Sequence, residues 1–364
     1  MTTTRAEPQP ADFADVRTTN LAVVLRHLRA HGPSSRAAIA ASTGLTKATV
    51  SSLTGDLIGH RLLRETGPSG NRIGRPATVL ALDGSAYASI GLQVDAHQLT
   101  ALAIDYSGDQ LLLWHRSLAP KRTTSEIILL AQRAASRVRQ QGRHVLGLTI
   151  AAPSTLPRTD LREQVSGSLR QKDLAVAVAD HAALAAVAEQ RHGGHAGVDL
   201  AYVSGATGLE AGLIIDGHLL RGGRLGRFKL GPAGTPTLED QAGIEALLRR
   251  ALPDFDPEGP ADSGSAVEQV AIRARAGDAV ALAALKHAGG YLGQGLAVLT
   301  DLVSPEVIVL GDHFATLAPW LIPALNFNGP RVTASSLGHH AAALGGAVAH
   351  LDQVDTGRIP RPIG

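Results

Sequence analysis

Two helix-start signals separated by a glycine constrain the fold of this chain more than any other feature. Ser34 and Ser35 can cap a helix over residues 36–43. Gly44 stands where the chain needs a positive φ to leave that helix, and Thr46 can cap a second helix from residue 47 to about residue 60. Two short helices joined by a glycine-containing turn, the second longer and capped, are typical of a helix-turn-helix.

The flanking segments extend this pattern to a winged helix-turn-helix over residues 17–84. Upstream, apolar residues recur at helical spacing from Leu21 to Leu28. Downstream, residues 62–66 and 78–82 alternate as strands around a turn-rich loop, which predicts a wing. Residues 1–16 show no periodicity and are expected to form a disordered tail.

The charge of the chain is unevenly distributed. Residues 1–80 hold ten Lys/Arg and five Asp/Glu, a formal charge of +5, whereas the remaining 284 residues carry −3. A basic segment attached to a slightly acidic body favours a module that binds a polyanion. The alternative is a solvated basic face without a partner.

The second helix of the motif and the wing supply the candidate DNA contacts. Short hydroxyl side chains and one lysine let a helix enter a major groove and reach phosphates or base edges, and wing arginines can enter a minor groove. The alternatives are an ordinary solvent-facing helix and, for the wing, an interdomain salt bridge. The predicted contacts are Thr46, Lys47, Ala48, Thr49, Ser51, Ser52, Arg72 and Arg75.

The remainder of the chain alternates strand-like and helix-like segments, which predicts an α/β body. The absence of cysteine excludes a disulfide scaffold, zinc bound by thiolates and thiol catalysis. The apolar runs are too short to span a bilayer and the first residues lack the apolar stretch of a signal peptide. We therefore expect a cytoplasmic protein that does not contact membranes.

Several motifs resemble the ROK family of sugar kinases and sugar-responsive repressors. They are the turn from Ala206 to Gly208, the Asp216-Gly217 turn, the segment 304–311 and the stretch from Ala334 to Gly345, with the Gly74-Arg75-Pro76 wing in front. The resemblance implies an actin-like ATPase fold of two lobes over residues 85–355, followed by a tail at 356–364. It places one lobe at about 85–195 together with the C-terminal helix, and the other at about 196–335.

The sequence departs from the ROK kinase pattern at positions that carry chemistry. Gln93 and Asp95 replace an Asp and a Gly of the phosphate loop, where a carboxylate would repel phosphate. His181, preceded by Asp180, stands at the position of the catalytic base. Glu210 adds a carboxylate near the phosphate site, and Lys229 replaces a glutamate that grips sugar hydroxyls. These six residues are the candidate effector pocket.

These departures predict that the body has lost kinase catalysis. His181 is either a base, a pH sensor or a hydrogen-bonded structural residue. Glu210 and Lys229 could form a new ion pair. His313, His339 and His340 lack further ligands at useful spacing, so no metal site is predicted, and no cofactor is implied.

The sequence thus predicts a transcriptional regulator, most simply a repressor. It would bind a double-stranded operator as a homodimer or homotetramer, and a sugar or other metabolite could act as its effector. One alternative is an active ATP-dependent sugar kinase that carries a DNA-binding domain. The other is an activator or architectural DNA binder that responds to no effector.

Overall fold

The N-terminal part of the chain folds as three helices and a small antiparallel sheet. The computed structural model describes residues 13–68, 78–96, 98–117, 123–153, 156–169, 174–232, 235–256 and 263–360. The first elements are α1 (Phe13–His31), β1 (Ser34–Ser35), α2 (Arg36–Thr43), α3 (Lys47–Gly59), β2 (Leu63–Pro68) and β3 (Thr78–Leu82). The strands lie in the order β1-β3-β2. We call this part the N-terminal domain.

Local capping explains where these helices begin and end. The Ser35 side chain accepts a hydrogen bond from the Ala38 amide, and the Thr46 side chain accepts one from the Thr49 amide. Gly44 adopts φ 73°, which ends α2. The predicted helix over 36–43 is confirmed. The tail predicted over 1–16 is wrong at its end, because α1 already begins at Phe13.

The first lobe of the body is built on a five-stranded sheet in the order β6-β5-β4-β7-β8. Strands β4, β5 and β6 pair antiparallel, whereas β4, β7 and β8 run parallel. Helices α4 and α5 contact this sheet. Its elements are β4 (Tyr87–Val94), β5 (Gln98–Asp105), β6 (Gln110–Ser117), α4 (Thr123–Gln140), β7 (His144–Ala152), α5 (Arg158–Ser168) and β8 (Ala175–Asp180).

The second lobe repeats this strand plan in the order β11-β10-β9-β12-β13, again with three antiparallel strands followed by two parallel ones. Its strands are β9 (Leu200–Gly205), β10 (Leu209–Ile215), β11 (His218–Gly223), β12 (Val307–Gly311) and β13 (Arg331–Ala334). Its helices are α6 (His181–His192), α7 (Leu238–Ala242), α8 (Ile244–Ala251), α9 (Ser263–Arg275), α10 (Ala279–Val303) and α11 (His313–Ala324). The repeat places the ends of β4 and β12 across a cleft from one another.

The last helix, α12 (Ala341–Asp355), packs on β4, β7 and α6 and so lies between the lobes. It approaches its neighbours closely. A Cβ added to Gly91 would stand 1.7 Å from the Ala343 carbonyl oxygen, and one added to Gly345 would stand 1.8 Å from that of Leu184. Larger residues at either position would push α12 away from the first sheet or from α6.

The N-terminal domain shares its hydrophobic core with the body. Buried residues of α1 to α3 form one cluster with Tyr87, Tyr106 and Leu351, which belong to β4, the turn after β5, and α12. The described part of the tail predicted at 356–364 also contacts this domain, with Pro360 accepting a hydrogen bond from His60 Nδ1 at 3.1 Å.

None of the described helices combines the length and apolar character needed to cross a bilayer.

Candidate nucleic-acid interface and interlobe cleft

Helix α3 turns its apolar side inward and its short polar side outward. Val50, Leu53 and Leu57 are buried against α1 and α2. The outer side, at the start of the helix, holds the residues predicted to contact DNA. Among these, Thr46, Lys47, Ala48, Ser51 and Ser52 are exposed and Thr49 is half-buried. The structure therefore brings these six together on one accessible face, which we call the recognition face.

The groups on the recognition face differ in how much hydrogen-bonding capacity is left for a partner. The hydroxyls of Thr46 and Thr49 lie 2.8 Å apart and bond each other while Thr46 caps the helix. The hydroxyls of Ser51 and Ser52 have no hydrogen-bond partner within the described ranges. Lys47, Ser51 and Ser52 are thus the groups free to bind a ligand.

Part of the positive charge counted in the sequence is neutralised inside the protein. Arg17 pairs with Asp56, Arg36 donates to Glu65 at 3.0 Å, and Arg29 pairs with Asp355 of the body. Arg72 and Arg75, the predicted wing contacts, lie outside the described residues. Asp56 and Glu65 are already subtracted in the formal charge of +5, so among these pairs only that of Arg29 with Asp355 lowers the net charge that the segment presents to a polyanion.

A cleft between the lobes forms a cavity of about 380 Å³. Gln93 and Asp95 at the end of β4 line one side, and Asp312 after β12 lines the other. Four imidazoles complete the rim; they belong to His115, His313, His339 and His340. No group of three or more His, Asp or Glu side chains in the described segments is arranged to hold a metal ion.

Beneath this cavity, His181 lies between two carboxylates. Its Nε2 is 3.3 Å from both oxygens of Asp312, and its Nδ1 is 3.7 Å from Asp95 Oδ1. The Ser204 hydroxyl donates to Asp312 Oδ2 at 2.6 Å. The side chains of His181 and Asp312 are only 1% and 2% exposed. We call Asp95, His181 and Asp312 the buried triad.

The pKa values of the buried triad follow from burial and mutual attraction. Burial raises the pKa of Asp95 to about 6. Burial by itself would lower the pKa of His181, but the charge and hydrogen bond of Asp312, and then the charge of Asp95, raise it to about 9. Burial opposes ionisation of Asp312 as well, yet His181 and Ser204 hold its pKa below the ordinary value. At pH 7 the triad contains an imidazolium between two carboxylates.

Asp312 occupies a backbone conformation that ordinarily requires glycine. Its φ of 52° and ψ of −127° place the Cβ against the adjacent backbone. The contacts with His181 and Ser204 hold the residue there. Asp312 is not among the six residues predicted to form the pocket, although its position directly after Gly311 at a strand end was an available signal.

Gln93 connects the triad to α12. Its Nε2 donates to Asp95 Oδ2 at 2.9 Å and to the His339 carbonyl at 2.7 Å, while its Oε1 accepts from the Ala343 amide at 3.1 Å. The side chain is 1% exposed. Gln93 therefore uses both ends of its amide within the protein and ties the start of α12 to β4.

The other predicted pocket residues lie elsewhere. Asp180 forms an ion pair with Arg158 on α5. Glu210 lines a second cavity, of about 670 Å³, together with Arg227 and Glu239. Lys229 is exposed and pairs its backbone with Thr237. The predicted Glu210–Lys229 pair is wrong, because these two side chains form no ion pair in the parts of the chain described here. Asp180 and Glu210 also line one small cavity together, and the charge of Glu210 acts on His181, so these two carboxylates adjoin the buried triad.

The architecture defines a class: a helix-turn-helix domain joined to a two-lobed α/β body with a repeated strand plan. The chain belongs to the ROK family, whose sequence pattern matches residues 89–352. The IclR helix-turn-helix domain matches residues 18–67. The family predicted from the sequence motifs is confirmed.

Relatives that match most of the chain are named as transcriptional repressors or regulators. The xylose repressor of Bacillus subtilis (strain 168) is 24% identical over 366 residues, which cover 92% of this chain and 95% of that protein. NagC of Escherichia coli (strain K12), described as a DNA-binding transcriptional dual regulator, is 25% identical over 85% of this chain and 84% of its own.

Solved structures confirm the predicted fold. A ROK family transcriptional regulator described as a homolog of the Escherichia coli Mlc protein superposes with a TM-score of 0.74 at 19% identity, over 94% of this chain and 98% of its own. A ROK family glucokinase from Streptomyces griseus matches 72% of this chain and 98% of its own, with a TM-score of 0.56 at 22% identity.

Proposed function

We propose that this protein is a DNA-binding transcriptional repressor whose body responds to a metabolite. The recognition face gives this proposal its main support, because Lys47, Ser51 and Ser52 are exposed on a helix that is already capped and packed. Relatives that are named as repressors and match most of this chain support the same function. The lysine would contact phosphate and the serines base edges or phosphate, with Arg72 and Arg75 of the wing adding contacts in the minor groove.

In this proposal the body has no kinase activity. A catalytic base must reach the hydroxyl proton of its substrate, within about 3 Å. His181, at the position of that base, is buried between Asp95 and Asp312 and does not line the cavity. Asp95 replaces a glycine of the loop that the ROK resemblance assigns to phosphate, and a carboxylate there would repel phosphate.

The proposed effector site is the interlobe cleft. Its wall of imidazole, amide and carboxylate groups suits a ligand rich in hydroxyls or other hydrogen-bond donors, which fits a sugar or a related metabolite. Such a ligand changes DNA binding only if it binds two states of the protein with different affinity. We further propose that a homodimer or homotetramer binds a symmetric operator, since two-fold assemblies read palindromic sites.

The deciding experiment is selection of bound sequences from a random DNA library by the full-length protein, repeated with a panel of sugars and other metabolites. We expect enrichment of one site and loss of binding with a subset of the panel. Arg75→Ala should weaken binding severely, by about a hundredfold, if the wing arginine enters the minor groove. Failure to enrich any sequence would contradict the proposal.

A second measurement separates the repressor from the kinase alternative. The purified protein is incubated with ATP and a panel of sugars, and release of ADP is followed by a coupled assay. We expect no turnover above the background of a His181→Ala control. Robust phosphorylation of any sugar would overturn the assignment of the body as non-catalytic.

A further inference from the structure

Helix α12 joins the cleft to the N-terminal domain. Gln93 binds the backbone at its start, and Asp355, its last residue, lies against α1. A helix of 15 residues spans about 22 Å at 1.5 Å per residue. One rigid element therefore contacts both the candidate effector site and the domain that carries the recognition face.

Arg29 attaches α1 to the end of this helix through a sheltered cluster. Its Nε and Nη2 donate to the two oxygens of Asp355 at 2.9 and 3.2 Å, and its Nη1 donates to the Tyr106 carbonyl at 3.0 Å. The Tyr106 hydroxyl donates to Asp355 Oδ1 at 2.8 Å. A two-pronged pair of this kind fixes direction as well as distance.

Burial distinguishes this pair from the others of the N-terminal domain. The side chain of Asp355 is 5% exposed, whereas Asp56 and Glu65, the partners of Arg17 and Arg36, are 40% and 50% exposed. Exposed pairs contribute little and tolerate many geometries, but a sheltered and fully hydrogen-bonded pair holds one geometry. The contact between domain and body is therefore specific in orientation.

The cleft end of α12 is held equally closely. The three hydrogen bonds of Gln93 connect Asp95 of the buried triad with His339 and Ala343, on the two sides of the helix start. Gly91 and Gly345 allow backbone contact along the helix, so a shift at its start cannot be taken up by side-chain gaps. A change at the triad must move α12 as a unit.

We infer that Arg29 is the positioning residue of the DNA-binding helices, and that α12 transmits changes at Gln93 to them. The inference rests on the proposed function and adds the path by which an occupied cleft would alter DNA binding. Arg29 positions the DNA-binding helices without touching DNA: it sets the orientation of α1 to α3 on the body, and with it the direction in which the recognition face points.

The test is a double-mutant cycle between the two ends of α12, on full-length protein and DNA enriched by the wild type. Gln93→Met removes three hydrogen bonds at similar volume, and Asp355→Asn removes the charge facing Arg29. We expect Gln93→Met to change the apparent Kd about tenfold alone, and less than about twofold when Asp355→Asn is present, because the path is then already broken.

Asp352→Asn is the matched control. Asp352 lies on the last turn of the same helix and pairs with Arg191 of α6 at 2.9 Å, so its charge acts on Arg29 but it does not take part in the Arg29–Asp355 hydrogen bonds. The effect of Gln93→Met must persist in the Asp352→Asn background. Circular dichroism checks the fold of each variant, and Gln93→Glu, which keeps an acceptor for the Ala343 amide, takes the place of Gln93→Met if that variant unfolds.

Hydrogen exchange of the α1–α3 amides in DNA-free protein supplies the second readout. Gln93→Met should change their exchange only while Asp355 is intact, a coupling that a purely structural role of Arg29 would not produce. Additive effects in both measurements overturn the inference. If the wild type enriches no DNA sequence, the proposed function fails, and the exchange cycle still decides whether α12 transmits the change.

Discussion

The recognition face and the buried triad use polar residues in opposite ways. On the recognition face, Lys47, Ser51 and Ser52 are exposed and keep their hydrogen-bonding groups for a partner. In the triad, charged groups interact with one another inside the protein, and His181 and Asp312 are almost fully buried. The buried triad is thus more strongly charged than the recognition face but less accessible to a ligand.

Polar substitutions in these two regions should change different properties of the protein. A buried charge contributes to stability through its partners, so its loss leaves an unpaired charge behind. A polar group at an exposed helix start contributes little to stability and acts through what binds it. We therefore expect changes in the triad to alter the free energy of unfolding and changes on the recognition face to alter DNA affinity.

The largest effect is expected from His181→Ala. The substitution leaves the buried Asp312 and the partly exposed Asp95 without their cation and removes a packed ring, which should lower the free energy of unfolding by about 3 kcal/mol. Urea unfolding followed by circular dichroism measures it. The surface imidazole of His218 provides the control, because His218→Ala should change stability little. Equal stability of the two variants would show that His181 does not stabilise the fold through the buried triad.

The pH dependence of stability should come from the same imidazole. Because its pKa rises from 6.5 to about 9 on folding, His181 contributes stability that is complete below pH 6.5 and is lost as the pH rises through 9. The free energy of unfolding of the wild type should therefore fall between pH 7 and 10 more steeply than that of His181→Asn. Parallel curves for the two proteins would show that His181 is neutral in the folded state.

Asp312 allows backbone strain to be separated from charge. Asp312→Gly and Asp312→Ala both remove the carboxylate, but only alanine retains a Cβ at φ 52° and ψ −127°. We expect the glycine variant to be more stable by about 1 kcal/mol, the reverse of the usual order. Denaturant midpoints of the two variants test this, and a more stable alanine variant would show that the position is unstrained.

The smallest effect on stability belongs to Lys47→Ala. The exposed lysine should leave the unfolding midpoint unchanged and weaken DNA binding about three- to tenfold, with the slope of log Kd against log salt reduced by about one. Anisotropy titrations at several salt concentrations give both quantities. Lys286→Ala, on α10 of the body, serves as the charge-matched control. Equal DNA affinity of the two variants would show that Lys47 does not contact DNA and that the recognition face is wrongly assigned.

Structural features that depend only on residues close together in the chain could be predicted from the sequence. The caps at Ser35 and Thr46 and the exit at Gly44 set the bounds of α2 and the start of α3, because a cap depends on chemistry within four residues. Helix α11 was not predicted, since it contains Pro319 and Pro323, which local rules place outside helices. There, packing against α10 and the second sheet overrides local preference.

The candidate site was predictable only in part, because its pairs join distant residues. His181 meets Asp312 across 131 positions, so the sequence could offer several roles for His181 but not its partners. Asp180 was grouped with it as a neighbour in the chain, yet its side chain turns to Arg158. Adjacent residues at a strand end commonly face different surroundings, and only the fold decides which.

The pairing of Arg29 with Asp355 has a consequence for biosynthesis. The two residues are 326 positions apart, so almost the entire chain must be synthesised before Arg29 on α1 can form its ion pair with Asp355. A polypeptide released early, without α12, would carry the helix-turn-helix but lack part of the apolar surface that completes its core. Only chains translated through Asp355 would then hold the domain in its final orientation, so incomplete products would compete poorly for the operator.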